Sequence, residues 1–335
     1  MSDNSGMASK HDSAPPFAGL TPETVVDAVE SLGLYCDGRI LALNSYENRV
    51  YRVGIEDAAP VVAKFYRPER WSDAAILEEH AFAKELGDAE LSVVAPLVVG
   101  KHTLHRHQGF RFALFPMQGG HAPELSSRDT LVQLGRTLAR MHNIGARQRF
   151  AHRCRLDVET FGRAPVAFLE SSGFVPTELK ANFSRIAAEL MAECEAAFAR
   201  SEPLQTLRLH GDCHPGNILW REGVAHFVDL DDCLTGPAIQ DLWMFLSGTP
   251  DEQRGQLDRL IEGYAEFRDF DWRERHLVEA LRSLRMLHYH AWIARRWNDP
   301  AFPAAFGWFG DARHWENVIA QLREQLDAMR FAEDD

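Results

Sequence analysis

A chain of 335 residues with 45% hydrophobic and 25% charged positions can bury a sizeable core and has room for two lobes. Its formal net charge of −13 excludes a broad nucleic-acid or anionic-membrane surface, because both need a positive field. Five cysteines (Cys36, Cys154, Cys194, Cys213 and Cys233) form no C-x-x-C pair, which fits free thiols in a reducing cytoplasm.

Residues 1–19 lack the apolar core of a signal peptide and read as a disordered leader. No later run is long and apolar enough to span a bilayer, so no membrane partner is expected. Thr21-Pro22-Glu23 then opens a short helix, with threonine as cap and proline in the first turn. Strand-like runs follow at Ile40–Leu43, Arg49–Gly54 and Val61–Tyr66, then a helix at Ser72–Gly87 and further strands near Val93–Val99 and Phe110–Phe115.

Beyond Ala122 the texture turns helical. Leu131, Leu134, Leu138 and Met141 recur at helical spacing, as do apolar residues in Phe183–Phe198 and Leu277–Trp297. One strand-rich patch, Leu207–Asp232, interrupts them. The expected architecture is α+β and bilobal: a small β-rich lobe with one helix at 20–115, a Pro/Gly-broken joint at 116–121, and a larger, mainly helical lobe at 122–332.

The stretch His210-Gly211-Asp212-Cys213-His214-Pro215-Gly216-Asn217 lies between short apolar runs and is followed by Phe227-Val228-Asp229-Leu230-Asp231-Asp232. Phosphoryl transfer needs a carboxylate to orient the attacking hydroxyl and oxygen ligands for magnesium, and Asp212, Asn217 and Asp229 supply that set. An extended Phe227–Asp231 puts Asp229 and Asp231 on one face, with Asp232 pointing elsewhere. A polar surface hairpin, or a transition-metal site of His210, Asp212 and His214, are the other readings. The second leaves Pro215-Gly216-Asn217 without a role.

Lys64 sits inside the strand Val61–Tyr66, where a phosphate-contacting lysine belongs. In the helix Ser72–Gly87, Glu79 falls within the apolar arc of Ala75, Ile76, Phe82, Ala83 and Leu86, while Glu78 and Glu85 fall outside it. A carboxylate on a buried face needs a partner, and Lys64 is the candidate. The loop Leu43–Tyr51 has no glycine; it reads equally as a phosphate-covering loop through Ser45 or as an ordinary turn. Phe115-Pro116-Met117 can offer backbone groups to adenine. Arg147, Arg149, Arg153 and Arg155 read as a solvated loop, and Arg282, Arg285, Arg295 and Arg296 as snorkelling arginines of a packed helix. Cys213 borders Asp212, which raises the question of redox sensitivity.

The motif His210–Asn217 with Asp229 resembles the aminoglycoside phosphotransferase and choline kinase branch of the protein-kinase-like fold. The matches Leu43–Tyr51, Lys64–Trp71, Ile76–His80, Leu209–Trp220, Phe227–Asp232 and Gly236–Met244 are similar to the bacterial stress response kinase A family, which are serine/threonine protein kinases. The resemblance implies Asp212 as catalytic base and Asn217 and Asp229 as magnesium ligands, with Asp231 as a further metal candidate. It also implies Ser45, Lys64, Glu79 and Met117 at the ATP site, and His210 and Asp241 as supports of the catalytic loop.

The expected partners are therefore ATP with Mg2+ and a protein carrying a Ser or Thr acceptor, its own chain among the candidates, acted on by a cytoplasmic monomer. A small-molecule kinase for an amino-alcohol or sugar-like hydroxyl is the alternative, and a carboxylate-lined pocket in the helical lobe would favour it. A nucleotide-binding module without catalysis would have lost part of the set, which is intact here. Residues 230–240 leave no room for a long phosphorylatable activation loop.

Overall fold

In a computed structural model that describes residues 14–331, Thr21 Oγ1 accepts the Thr24 N–H and so caps α1 (Pro22–Glu30). The expected leader lies outside the described residues up to Ser13. Its last part forms a turn whose Phe17 packs against the first core and under the Arg49 guanidinium. An antiparallel sheet follows, from β1 (Cys36–Leu43), β2 (Arg49–Ile55), β3 (Val61–Phe65), β4 (His105–His107) and β5 (Phe110–Pro116), in the order β1-β2-β3-β5-β4. Val25, Ala28 and Val29 of α1 close its apolar face against Val53, Ala63, Phe65, Phe112 and Leu114.

Between β3 and β4 runs α2 (Asp73–Asp88), capped by Ser72. Its Phe82, Ala83 and Leu86 enter the core of the helical lobe, so the helix lies across the seam between lobes and carries Glu79 into it. The segment expected as a strand at Val93–Val99 is instead a strap with isolated bridges. Val94 donates to Phe227 O and Leu97 to Leu114 O, so its hydrogen bonds are divided between the two lobes and no single ladder forms. The three-residue strand β4 escaped the sequence reading because His-Arg-His carries no β-branched residue.

The helical lobe holds α3 (Arg128–Gly145), a π-helical turn at Glu159–Arg163, α4 (Ala164–Ser172) and α5 (Thr177–Arg200). The hairpin strands β6 (Leu207–Leu209), β7 (Ile218–Arg221), β8 (Val224–Phe227) and β9 (Leu234–Gly236) pair as β6-β9 and β7-β8. Then come α6 (Gln240–Trp243), α7 (Pro250–Tyr264), α8 (Val278–Arg295), α9 (Ala301–Ala305) and α10 (Ala312–Phe331). No helix among the described residues is long and apolar enough to cross a membrane.

Helices α3 and α7 cross at backbone contact. A Cβ on Gly135 would lie 1.9 Å from Leu260 O, and one on Gly263 the same distance from Val132 O. Side-chain adjustment cannot relieve a clash with backbone, so Gly135→Ala should destabilise the fold by about 2 kcal/mol or more, read as a lower denaturant midpoint at unchanged slope. The stretch after Asp229 is equally occupied: β9 pairs with β6, and Asp231–Gln240 is almost wholly buried. Phosphosite mapping on active protein should accordingly find no regulatory site in Leu230–Gln240, whose hydroxyl-bearing residue, Thr235, is paired with Arg208 inside that ladder.

Candidate active site

The loop between β6 and β7 turns on Gly211, at φ +85°. A side chain there would meet Asp232 O at 2.3 Å, so only glycine lets the loop approach the segment after β8 this closely. Asp241, at the start of α6 and fully buried, accepts the N–H groups of both His210 and Gly211 at 2.8 Å. His210 in turn places Nε2 2.9 Å from Val228 O, and the Val228 N–H donates to Asn217 O at 3.0 Å. The two supports expected from the motif are thus both in place. Together they lock the residue preceding Asp229 to the loop carrying Asp212.

Asp212 is gripped from three sides. Asn217 Nδ2 donates to its carbonyl at 2.9 Å, His214 Nε2 lies 3.5 Å from Oδ2, and Arg285 Nη1 donates to Oδ1 at 2.6 Å. Burial would raise its pKa, but the His214 hydrogen bond and the Arg285 charge outweigh that and hold the carboxyl well below the usual range. The Asp212 carboxyl is therefore ionised and held in one orientation. Asn217 uses its amide N–H on Asp212, so its Oδ1 remains available as a ligand. Among the described residues no three His, Cys, Asp or Glu side chains are grouped to hold a metal ion, so His210, Asp212 and His214 do not converge as a metal set.

The extended reading of Phe227–Asp231 is corrected. β8 ends at Phe227, Asp229 adopts a left-handed backbone at φ 59°, ψ 63°, and Leu230–Asp232 is a 3-10 turn. Aspartate tolerates this conformation better than most residues, and strain of this kind belongs at sites held by their surroundings. The turn leaves the carboxylates unequally exposed: Asp229 stays half exposed at 52%, whereas Asp231 is only 4% exposed.

Lys64 joins these parts. Its Nζ lies 2.8 Å from Asp229 Oδ1, 3.2 Å from Asp231 Oδ1 and 3.7 Å from Glu79 Oε1. Burial alone would lower its pKa, but the three carboxylates raise it well above the ordinary value. Burial pushes Glu79 up to about 7, against the pull of Lys64. Asp231 Oδ2 takes Asn48 Nδ2 at 3.1 Å and the Arg70 guanidinium, and Arg70 also pairs with Asp232. Asp231 is consequently a bridge between lobes, with its oxygens engaged by protein cations, in contrast to the expectation of a metal ligand.

The glycine-free loop after β1 is held by charge. Glu47 accepts from Trp292 Nε1 and Arg296 on the far lobe and pairs with Arg67 and Arg70, and Asp299 pairs with Arg49 and Arg67. Ser45 Oγ accepts the Asn48 N–H at a long 3.4 Å within the turn that joins β1 to β2. Met117, 40% exposed, follows Pro116, which pairs with Val61 at the end of that same strand.

Several residues of the site were not legible in advance. Arg153, expected in a solvated loop, is buried over the Trp71 ring at 4.0 Å and donates to the carbonyls of Asp231 and Cys233. His142 of α3 braces Asp241 at 3.2 Å and accepts support from Tyr264 at 2.9 Å. Arg285 was read as packing. Cys213 is fully buried and its thiol pKa is raised by burial, which removes the redox reading. Replacing Asp241 with Asn leaves one of the two loop N–H groups facing an amide N–H. Stability should fall by about 1–3 kcal/mol, and turnover should fall with it while nucleotide affinity holds.

Comparison with known proteins agrees with this geometry. The model of the phosphotransferase enzyme family matches residues 39–278. Stress response kinase A of Escherichia coli K12 is 45% identical over 320 residues, covering 96% of this chain and 97% of that one. The serine/threonine protein kinase RdoA of Salmonella typhimurium LT2 is 44% identical over 315 residues, 94% and 95% of the two chains. An amicoumacin kinase solved with AMP-PNP and calcium superposes with a TM-score of 0.69 at 16% identity, over 92% of this chain and 94% of that one, which is a likeness of fold. The chain therefore belongs to the phosphotransferase enzyme family, alongside the stress response kinase A proteins.

Proposed function

We propose that the protein is an ATP- and magnesium-dependent serine/threonine protein kinase, acting in the cytoplasm as a monomer. The observation that carries the reading is the assembly of Lys64, Glu79, Asp212, Asn217 and Asp229 within one seam, each oriented by a named partner. In this reading residues 20–115 serve the nucleotide, 116–121 form the joint with Met117 beside adenine, and 122–332 serve the acceptor.

The donor chemistry suits magnesium. The half-exposed carboxylate of Asp229 and the free amide oxygen of Asn217 are hard oxygen ligands of the kind magnesium takes. Magnesium bound there would offset the charge of the ATP phosphates. Lys64, held by Glu79, contacts the phosphates, and Ser45 with the loop backbone covers them.

Asp212 orients the acceptor hydroxyl. The hydroxyl oxygen bonds to the γ-phosphorus, the bond from that phosphorus to the β–γ bridging oxygen breaks, ADP leaves, and the hydroxyl proton passes to Asp212. Support for a protein acceptor comes from the names of the relatives and from α8. Its sequence from Ala280 to Trp297 holds no Asp or Glu, so this wall offers no carboxylates for the ammonium of an amino-alcohol or aminoglycoside.

With γ-labelled ATP and Mg2+, label should reach protein acceptors. Asp212→Asn should keep nucleotide affinity and lose about 10²- to 10⁴-fold in kcat. Asp229→Ala should abolish transfer, because phosphate charge then goes uncompensated. Full activity in either variant, or label on small alcohols alone, would overturn the assignment.

A further inference from the structure

Along α8, Arg282, Arg285, Tyr289 and Trp292, with Arg296 just beyond, recur every three or four residues and form one partly exposed stripe. The upper end is occupied, since Trp292 and Arg296 hold Glu47 of the loop over the sheet. At the lower end Arg282 is taken by Gln253 at 2.8 Å and Glu279 at 3.6 Å. Arg285 differs. Its side chain is 43% exposed, and among the described residues only its Nη1 is engaged, by Asp212 Oδ1 at 2.6 Å and Met244 Sδ at 3.9 Å.

A guanidinium presents a rigid fork of donors and takes planar anions with two arms. With one arm on the aspartate proposed to orient the acceptor hydroxyl and 43% of the side chain exposed, the guanidinium keeps donors for a second anion. Any group attached close to that hydroxyl comes within its reach. Resting on the reading of the protein as a protein kinase, we infer that Arg285 is a positioning residue for Asp212 and the anion-recognising residue of the acceptor site, selecting a Ser or Thr flanked by a carboxylate or phosphate side chain. The part of α8 from Ala280 to Arg295, which holds no Asp or Glu, and its exposed Tyr289, one turn on, form the rest of that wall.

The test compares peptides that differ only beside one acceptor Ser: Asp or phosphoserine, Ala, and Lys. The wild-type enzyme should favour the acidic peptides over the Ala peptide by on the order of tenfold in kcat/KM, mainly through KM, with the Lys peptide poorest. Arg285→Gln should raise KM for the acidic peptides by a similar factor and leave KM for the Ala peptide in place, while kcat falls for all as Asp212 loses its anchor. Arg285→Lys should restore part of the acidic preference.

Equal use of the acidic and neutral peptides by wild type overturns the inference without touching the kinase assignment, and needs no variant to fold. A rise in KM for ATP in Arg285→Gln, with peptide KM unchanged, also overturns it and assigns the free arm to the nucleotide. Label on small alcohols and on no peptide would sink the protein-kinase reading, and this inference with it.

Discussion

A single ammonium group, Lys64 Nζ, is shared by carboxylates from three different elements: Glu79 on the crossing helix, Asp229 after the hairpin strand, and Asp231 in the turn that follows. Breaking such a buried cluster at one member leaves an uncompensated charge in a poorly solvated place, at a cost of several kcal/mol. The position of α2 across the seam and the left-handed twist at Asp229 are therefore coupled. Each makes sense only if the lysine is where the others need it.

Around this centre the lobes are tied by further ion pairs. Arg70 reaches Asp231 and Asp232, Arg67 and Arg49 reach Asp299, and Glu47 reaches Arg296 and Trp292. A loop without glycine cannot wrap phosphates by conformational freedom; here it is held in place by charge. These contacts join the β1–β2 loop to α8, the same helix whose Arg285 anchors Asp212. One helix thus carries groups that hold both the β1–β2 loop and Asp212.

The catalytic loop is supported by layers that lie far apart in sequence. Asp241 accepts two loop N–H groups and pairs with His142 Nε2, and His142 Nδ1 pairs with the Tyr264 hydroxyl, so α3, α6 and α7 meet behind the loop. The glycine contacts of α3 with α7 keep that backing close. Polar chains of this kind are costly when incomplete and rigid when satisfied, which suits a group that must hold its aim through turnover.

Local chemistry was readable in the chain by itself. Helical and strand periods gave α1, α2, β1–β3 and β5, caps gave helix starts, and the arc on α2 singled out Glu79 because a carboxylate on a buried face demands a partner. The aspartates and asparagine of the central loops were legible because their spacing matches what phosphoryl transfer requires. What lay beyond was decided by packing. Asp229 left the extended path, Asp231 became a bridge, Arg153 went inside, the strap at Val93–Val99 divided its hydrogen bonds between lobes, and Arg285 met Asp212 across 73 positions of sequence. Periodicity and propensity are properties of neighbours along the chain, whereas the partner of a charge is set by which distant surfaces meet, and only the tertiary structure decides that.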